Sequence, residues 1–75
     1  MYVYILISLD RPNERDVLEE IMNYKEVVEA HILFGEWDLI VKLDLDSPEL
    51  VSNFVIEKLR TIESINLTST LVVAE

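Results

Sequence analysis

The stretch Val28–Leu43, VEAHILFGEWDLIVKL, holds the only glycine of the chain, Gly35. Apolar and polar residues alternate on both sides of it. Period-two alternation is the pattern of strands with one buried face, and two such runs about a glycine predict a hairpin. A two-residue turn of type II′ at Gly35-Glu36 suits it, because that turn needs a positive φ at its first central position. The register then follows. Phe34 faces Trp37, Ile32 faces Leu39, Ala30 faces Val41 and Val28 faces Leu43, all on one apolar face. The other face pairs Leu33 with Asp38, His31 with Ile40, and Glu29 with Lys42, an opposite-charge pair that helps set the register. A slip by one residue would expose the whole apolar set, so this stretch tolerates few alternatives.

The remaining elements arrange themselves around the hairpin. Tyr2 to Leu9 reads as a first strand, with Val3, Ile5, Ile7 and Leu9 on one parity. Asp10-Arg11-Pro12 is a turn. Asn13 is placed to cap a helix, with Glu14 and Asp16 in its first turn, where acids suit the dipole. That helix runs to about Tyr24, with Val17, Leu18, Ile21 and Met22 on one stripe. Ser47 and Pro48 are an N-cap and a first helical residue. The second helix runs to about Thr61 along Leu50, Val51, Phe54, Val55, Leu59 and Ile62, with Glu57 and Arg60 facing water. Ile65 to Ala74 is the last strand.

Strand–helix–strand–strand–helix–strand is the ferredoxin-like βαββαβ plan, an α+β sandwich. It predicts one domain over residues 1–75. Its four antiparallel strands take the order 4-1-3-2, with both helices on one face. Parity assigns Val3, Ile5, Ile7, Ile32, Leu39, Val41, Leu67 and Leu71 to the helix side. Tyr4, Leu6, His31, Leu33, Ile40, Thr68, Thr70 and Val72 go to the other. The second set is too apolar to stay in water, so two sheets are expected to pack face to face in a homodimer. Tyr4, Leu6, His31, Leu33, Ile40 and Val72 are the expected interface residues.

Composition narrows the function. Fifteen acids against six bases give a net charge of −9, and the six cations are scattered. Nucleic-acid binding needs clustered Lys and Arg, so direct contact with DNA or RNA is not expected. The chain has no cysteine and one histidine. This argues against disulfides, thiolate sites and multi-histidine metal sites. No apolar run approaches the length of a membrane span. YVYILISL has no preceding positive charge and no cleavage site, so it reads as a strand rather than a signal peptide. A cytoplasmic location is the default, and no cofactor is implied.

The run Val27-Val28-Glu29-Ala30, followed by Phe34-Gly35-Glu36-Trp37-Asp38-Leu39-Ile40-Val41, resembles the strand–Gly-x-aromatic-Asp–strand hairpin of the Lrp/AsnC regulators. More narrowly, it resembles their C-terminal effector-binding (RAM) domain. Ile65 to Val73, with alternating threonines, is similar to the family's closing segment, and the resemblance covers essentially the whole chain. Two departures stand out. Family members usually carry an N-terminal helix-turn-helix, and here nothing precedes the first strand, which fits a stand-alone RAM domain. A glycine is common before the last strand, where this chain has Ser64.

The resemblance implies a sensor that binds a small effector, typically an amino acid, between dimers and changes its assembly. It implies ligand roles for Gly35, Glu36, Trp37, Asp38, Thr68 and Thr70. Asp38 or Glu36 would meet the ammonium of a zwitterion. The Gly35 backbone and the threonine hydroxyls would meet its carboxylate, with Trp37 and Phe34 as walls. Implied partners are further copies in higher oligomers, an amino acid, and full-length Lrp/AsnC-type regulators whose action on transcription the domain would alter indirectly.

Plainer readings stand beside these. Gly35 serves the turn, Asp38 bonds nearby backbone, Trp37 is core, and the threonines are strand formers at an interface. A purely structural exchange module is one alternative function. An enzyme of the dimeric ferredoxin-like kind is another; the open face offers His31, Tyr4 and Asp38, and a His31–Asp38 pair within about 3 Å could transfer a proton. No nucleophile motif, phosphate loop or metal set accompanies that pair, so no catalytic residue is assigned.

Overall fold

The computed structural model describes residues 1–75. The elements are β1 (Tyr2–Leu9), α1 (Glu14–Met22), β2 (Val27–Ile32), β3 (Leu39–Asp44), α2 (Pro48–Glu57), a single 3-10 turn (Leu59–Thr61) and β4 (Ile65–Val72). The four strands form one antiparallel sheet in the order β2-β3-β1-β4. This is the ferredoxin-like plan with the expected 4-1-3-2 order. No helix is long and apolar enough to cross a membrane.

The core lies between the sheet and the helices. Val3, Ile5 and Ile7 of the central strand β1 stand opposite Leu43, Val41 and Leu39 of β3, and all six are fully buried. Val17 and Ile21 of α1, Val51 and Phe54 of α2, and Leu59 and Ile62 beyond it close the cluster. Met22, assigned to the α1 stripe, is instead half exposed.

Both helices stop short of their expected ends. After Met22 the chain tightens: the N–H groups of Asn23 and Tyr24 donate to Glu20 and Ile21, bonds three residues back. After Glu57 the second helix gives way to the 3-10 turn. An uninterrupted α-helix through Val51 and Phe54 would carry Lys58 on its inner face. The Lys58 ammonium lies over the rings of Tyr24 and Phe54, 5.4 and 5.9 Å from their centroids. It donates to both carboxylate oxygens of Glu26, at 2.8 and 2.6 Å. Its stem packs while its head is paired. The tighter turn brings Leu59 and Ile62 inward, three residues apart. At the other end of α2, Ser47 Oγ accepts from the Leu50 N–H at 3.3 Å, the expected cap.

Asn13 occupies the N-cap position of α1 but its side chain makes no capping bond. Its amide donates instead to Ser64 Oγ at 3.0 Å, and the Asp10 N–H donates to the Ser64 carbonyl at 2.9 Å. Ser64 is buried. Ser64 thus ties the start of α1 to the start of β4.

Two bulges change the expected registers. Between β2 and β3 the pairs Glu29–Lys42, Ala30–Val41, His31–Ile40 and Ile32–Leu39 form as expected. Val27 rather than Val28 stands opposite Leu43, and Val28 is extruded and half exposed. Between β1 and β4 the register shifts at Ser8/Leu9. Ile65 stays inside against Leu9, but Thr68, Thr70 and Val72 then stand opposite Ile7, Ile5 and Val3, on the helix side. Leu67, Ser69 and Leu71 stand opposite Ser8, Leu6 and Tyr4, on the bare side. The parity assignment for β4 is therefore inverted. One bulged residue moves every following side chain to the other face. Val72, Thr68 and Thr70 leave the bare face, and two leucines replace them.

Candidate functional site

The hairpin connection is longer than a two-residue turn. The ladder ends at Ile32–Leu39, and one further bond runs from the Leu33 N–H to the Asp38 carbonyl at 2.8 Å. Phe34 to Trp37 form the loop, and Phe34 does not pair with Trp37. Gly35 has φ +146°, outside the II′ geometry but still a conformation that L side chains rarely adopt. A Cβ there would meet nothing within 4 Å, so the need for glycine is one of backbone conformation, not of space.

Asp38 explains why the loop opens. Its N–H donates to the Ile7 carbonyl at 2.8 Å, and its Oδ2 accepts from the Leu9 N–H at 2.7 Å. The ladder between β1 and β3 ends at Ile7–Leu39. Two residues further, the Leu9 N–H faces a place where β3 has already turned away. The Asp38 carboxylate supplies the missing acceptor. Asp38 thus bonds backbone near the turn, as its plainer reading held. Trp37 is half-buried and stands outside the core cluster, contrary to its reading as a core residue. Gly35 and Glu36 are exposed.

Thr68 and Thr70 lie elsewhere. They line a groove of about 520 Å³ between α2 and β4, with Val51, Val55, Ile56, Val72 and Arg60. None of Gly35, Glu36, Trp37 and Asp38 lines a cavity of the single chain. The six ligand residues implied by the resemblance therefore fall into two groups, although β1 alone lies between Asp38, which bonds the Ile7 carbonyl, and Thr68, which stands opposite Ile7. Sequence reading missed the groove and left Arg60 simply facing water. The available signal was that Arg60 precedes the inverted threonines on the same edge, which only the bulge reveals.

The bare face carries Tyr4, Leu6, His31, Ile40 and Lys42 with Leu67 and Leu71, which are 59% and 49% exposed. His31 Nε2 lies 2.7 Å from Glu29 Oε2, and Lys42 Nζ lies 3.7 Å from Glu29 Oε1. The His31 hydrogen bond, with Lys42 nearby, holds the Glu29 carboxyl below its ordinary range. The recorded partner of His31 is Glu29, and that of Asp38 is the Leu9 N–H, so the two do not form the dyad that proton transfer would need. Leu33 is half-buried beside the loop. No group of three or more His, Cys, Asp or Glu residues is placed to hold a metal ion.

Comparison with known proteins agrees with this architecture. The Lrp/AsnC ligand binding domain matches residues 2–75. An uncharacterised HTH-type transcriptional regulator of Pyrococcus abyssi is 40% identical in an alignment 72 residues long that covers 92% of this chain and 48% of that protein. The chain thus spans about half the length of the curated relatives it matches. The crystal structure of FFRP-DM1 superposes with a TM-score of 0.89 at 36% identity, covering 96% of both chains. Escherichia coli AsnC gives 0.92 at 27% identity, covering 99% of this chain and 50% of that one. With a family match over nearly every residue and a shared sheet order, the chain belongs to the Lrp/AsnC family of transcriptional regulators and has the fold of its ligand-binding domain.

Proposed function

We propose that the chain senses a small molecule, an amino acid, and that binding changes how copies assemble and so acts on transcription. The observation that carries this reading is the bare sheet face. Tyr4, Leu6, Ile40, Leu67 and Leu71 form an apolar surface on a chain whose other sheet face is already covered. Isolated proteins rarely leave such a patch in water. A homodimer that stacks two bare faces removes it. That Gly35, Glu36, Trp37 and Asp38 line no cavity of the single chain, whereas Thr68 and Thr70 do, fits a ligand pocket completed by a second copy. A Neisseria meningitidis regulator of the same fold, 18% identical with a TM-score of 0.87, is known as an L-Met complex. Its ligand supports an amino acid as the effector class here. Such a role places the protein in the cytoplasm.

Native mass spectrometry of the purified chain, alone and with each of the twenty amino acids, tests the reading. Discrete species above the dimer that one amino acid class binds or shifts are expected. A fixed assembly indifferent to all twenty overturns the sensor. That result would favour a second reading, a structural module that exchanges with full-length regulators. The alignment of 92% of this chain to 48% of a longer relative supports that alternative, because the two would present matching faces. Mixing the chain with such a regulator and looking for mixed dimers decides it.

A further inference from the structure

On the bare face, charge gathers at one place, where β2 meets β3. Glu29, His31 and Lys42 stand together there, and each oxygen of the Glu29 carboxylate serves one basic group. His31 Nε2 lies 2.7 Å from Oε2, and Lys42 Nζ lies 3.7 Å from Oε1. The Lys42 ammonium also lies 4.4 Å from the centre of the Tyr2 ring and 5.9 Å from that of Tyr4, both on β1. Only 22% of the Lys42 side chain is exposed, against 60% for His31. Directly opposite His31 stands Ile40, with Leu6 and then Ser69 beyond it, none of them charged. The other acids of β3 and its entry have partners elsewhere. Asp38 accepts from the Leu9 N–H, and Asp44 accepts from the amino terminus at 3.3 Å. With His31 neutral, and its Nε2 hydrogen donated to Glu29, the three side chains sum to zero charge. With His31 protonated they carry +1. Taking a matched set of charges out of water is costly, and taking out a net charge is far more so.

We propose that the proton is a second effector of this chain: stacking of two bare faces selects the uncharged form of His31, so the dimer holds at neutral pH and loosens in acid. This rests on the reading that two bare faces stack, and it names the group that makes the stacking respond to pH. Each copy sheds the proton of its own imidazole on joining, so up to two protons leave per dimer. Association therefore weakens as pH falls through about 6.5, where an ordinary imidazole charges. Glu29 stays ionised over that range, because the His31 hydrogen bond, with Lys42 nearby, holds its carboxyl below the ordinary carboxylate range. One effect opposes the proposal. Two chains of net charge −9 repel, and acid relieves that repulsion. At 0.15 M salt, however, charges in water are screened over about 8 Å, and ordinary carboxylates take up protons mainly below about pH 5. Above that, the charge inside the covered face decides.

The composition makes the test clean. The chain has one histidine and no cysteine, so the α-amino group is the only other group that ordinarily changes charge near neutral pH. Sedimentation equilibrium of the whole chain is followed from about pH 8 to about pH 5.5 in about 0.15 M salt. The dimer dissociation constant should rise about tenfold or more, and toward about a hundredfold if both imidazoles stay uncharged. His31→Gln still donates a hydrogen bond but cannot charge, so its dimer affinity should no longer change with pH. His31→Arg is charged at every pH and should dimerise weakly throughout. His31 is exposed in the single chain, so both variants should keep the circular dichroism of the parent. A dimer equally tight across the range, one that tightens in acid, or a pH dependence that survives in His31→Gln overturns the proposal and leaves the stacked dimer in place. A parent chain that stays monomeric at every pH overturns the stacking and the proposal together.

Discussion

The two faces of the single sheet are made by alternate residues of the same strands, yet they do different work. On the helix side, Ile5 is fully buried between Val41 and Thr70. On the bare side its neighbour Leu6 stands between Ile40 and Ser69 and remains half-buried. The first face stabilises the isolated chain. The second is apolar without being covered, so its contribution depends on a second molecule. Adjacent residues of one strand can thus be separated by their response to protein concentration.

The largest expected effect follows directly. Ile5→Ala removes a buried side chain at the centre of the core and should cost about 3–4 kcal/mol by urea unfolding at any protein concentration. Leu6→Ala should cost under about 1 kcal/mol in dilute protein, but should lower the concentration dependence of the midpoint. Equal losses at both positions, independent of concentration, would break the distinction between the faces.

Next come two sites whose effect should not depend on a second molecule, one in the β2–β3 loop and one on the helix side. Gly35→Ala puts a side chain at φ +146°, where nothing obstructs it but the backbone disfavours it. A loss of about 1–2 kcal/mol is expected, with little change in near-ultraviolet circular dichroism from the core. Glu26→Gln leaves the Lys58 ammonium without its bidentate partner between Tyr24 and Phe54. It should cost a similar ~1–2 kcal/mol at neutral pH. The hydrogen bonds from Lys58 hold the Glu26 carboxyl below its ordinary 4.5. The unfolded chain therefore takes up this proton first. The stabilisation is complete above about pH 4.5 and is lost as pH falls through the lower folded value. Unfolding followed from pH 7 to 3 should show a shallower acid loss in Glu26→Gln than in the parent.

The same comparison shows what the sequence made legible. Element order, strand order and the helix-side residues of β1 and β3 follow from hydrophobic alternation, because Val3, Ile5, Ile7, Leu39, Val41 and Leu43 form unbroken apolar runs while the opposite parity is interrupted by Ser8, Lys42 and Asp44. In β4 both parities are apolar: Ile65, Leu67 and Leu71 against Val72 and two β-branched threonines. Alternation gives no warning of a bulge there, and one extra residue after Ile65 inverted the assignment. The turn was misjudged for a different reason. Gly35 signals a positive φ but not loop length. That length is set by Asp38, whose carboxylate is drawn to the Leu9 N–H on a neighbouring strand 29 residues away. The candidate ligand residues were legible only through the family resemblance. Their division between loop and groove depends on the bulge, and so on tertiary structure.

The smallest effect sharpens the comparison furthest. Glu29 sits on the β2–β3 part of the bare face, bonded to His31 and near Lys42, with 48% of its side chain exposed. By contrast, Leu67, Ser69 and Leu71 on the β4 part carry no charge. An exposed pair contributes little in water, and salt screens it over about 3 Å at 1 M. In dilute protein, Glu29→Gln should therefore leave the unfolding midpoint nearly unchanged, and 1 M salt should erase the remainder. If two bare faces stack, the same charges are partly desolvated in the assembly and their pairing matters more there. The variant should then shift the dimer dissociation constant while sparing the stability of the single chain. A change confined to the dilute chain, with none in association, would mean that this part of the face stays in water, and that only the uncharged β4 side is covered.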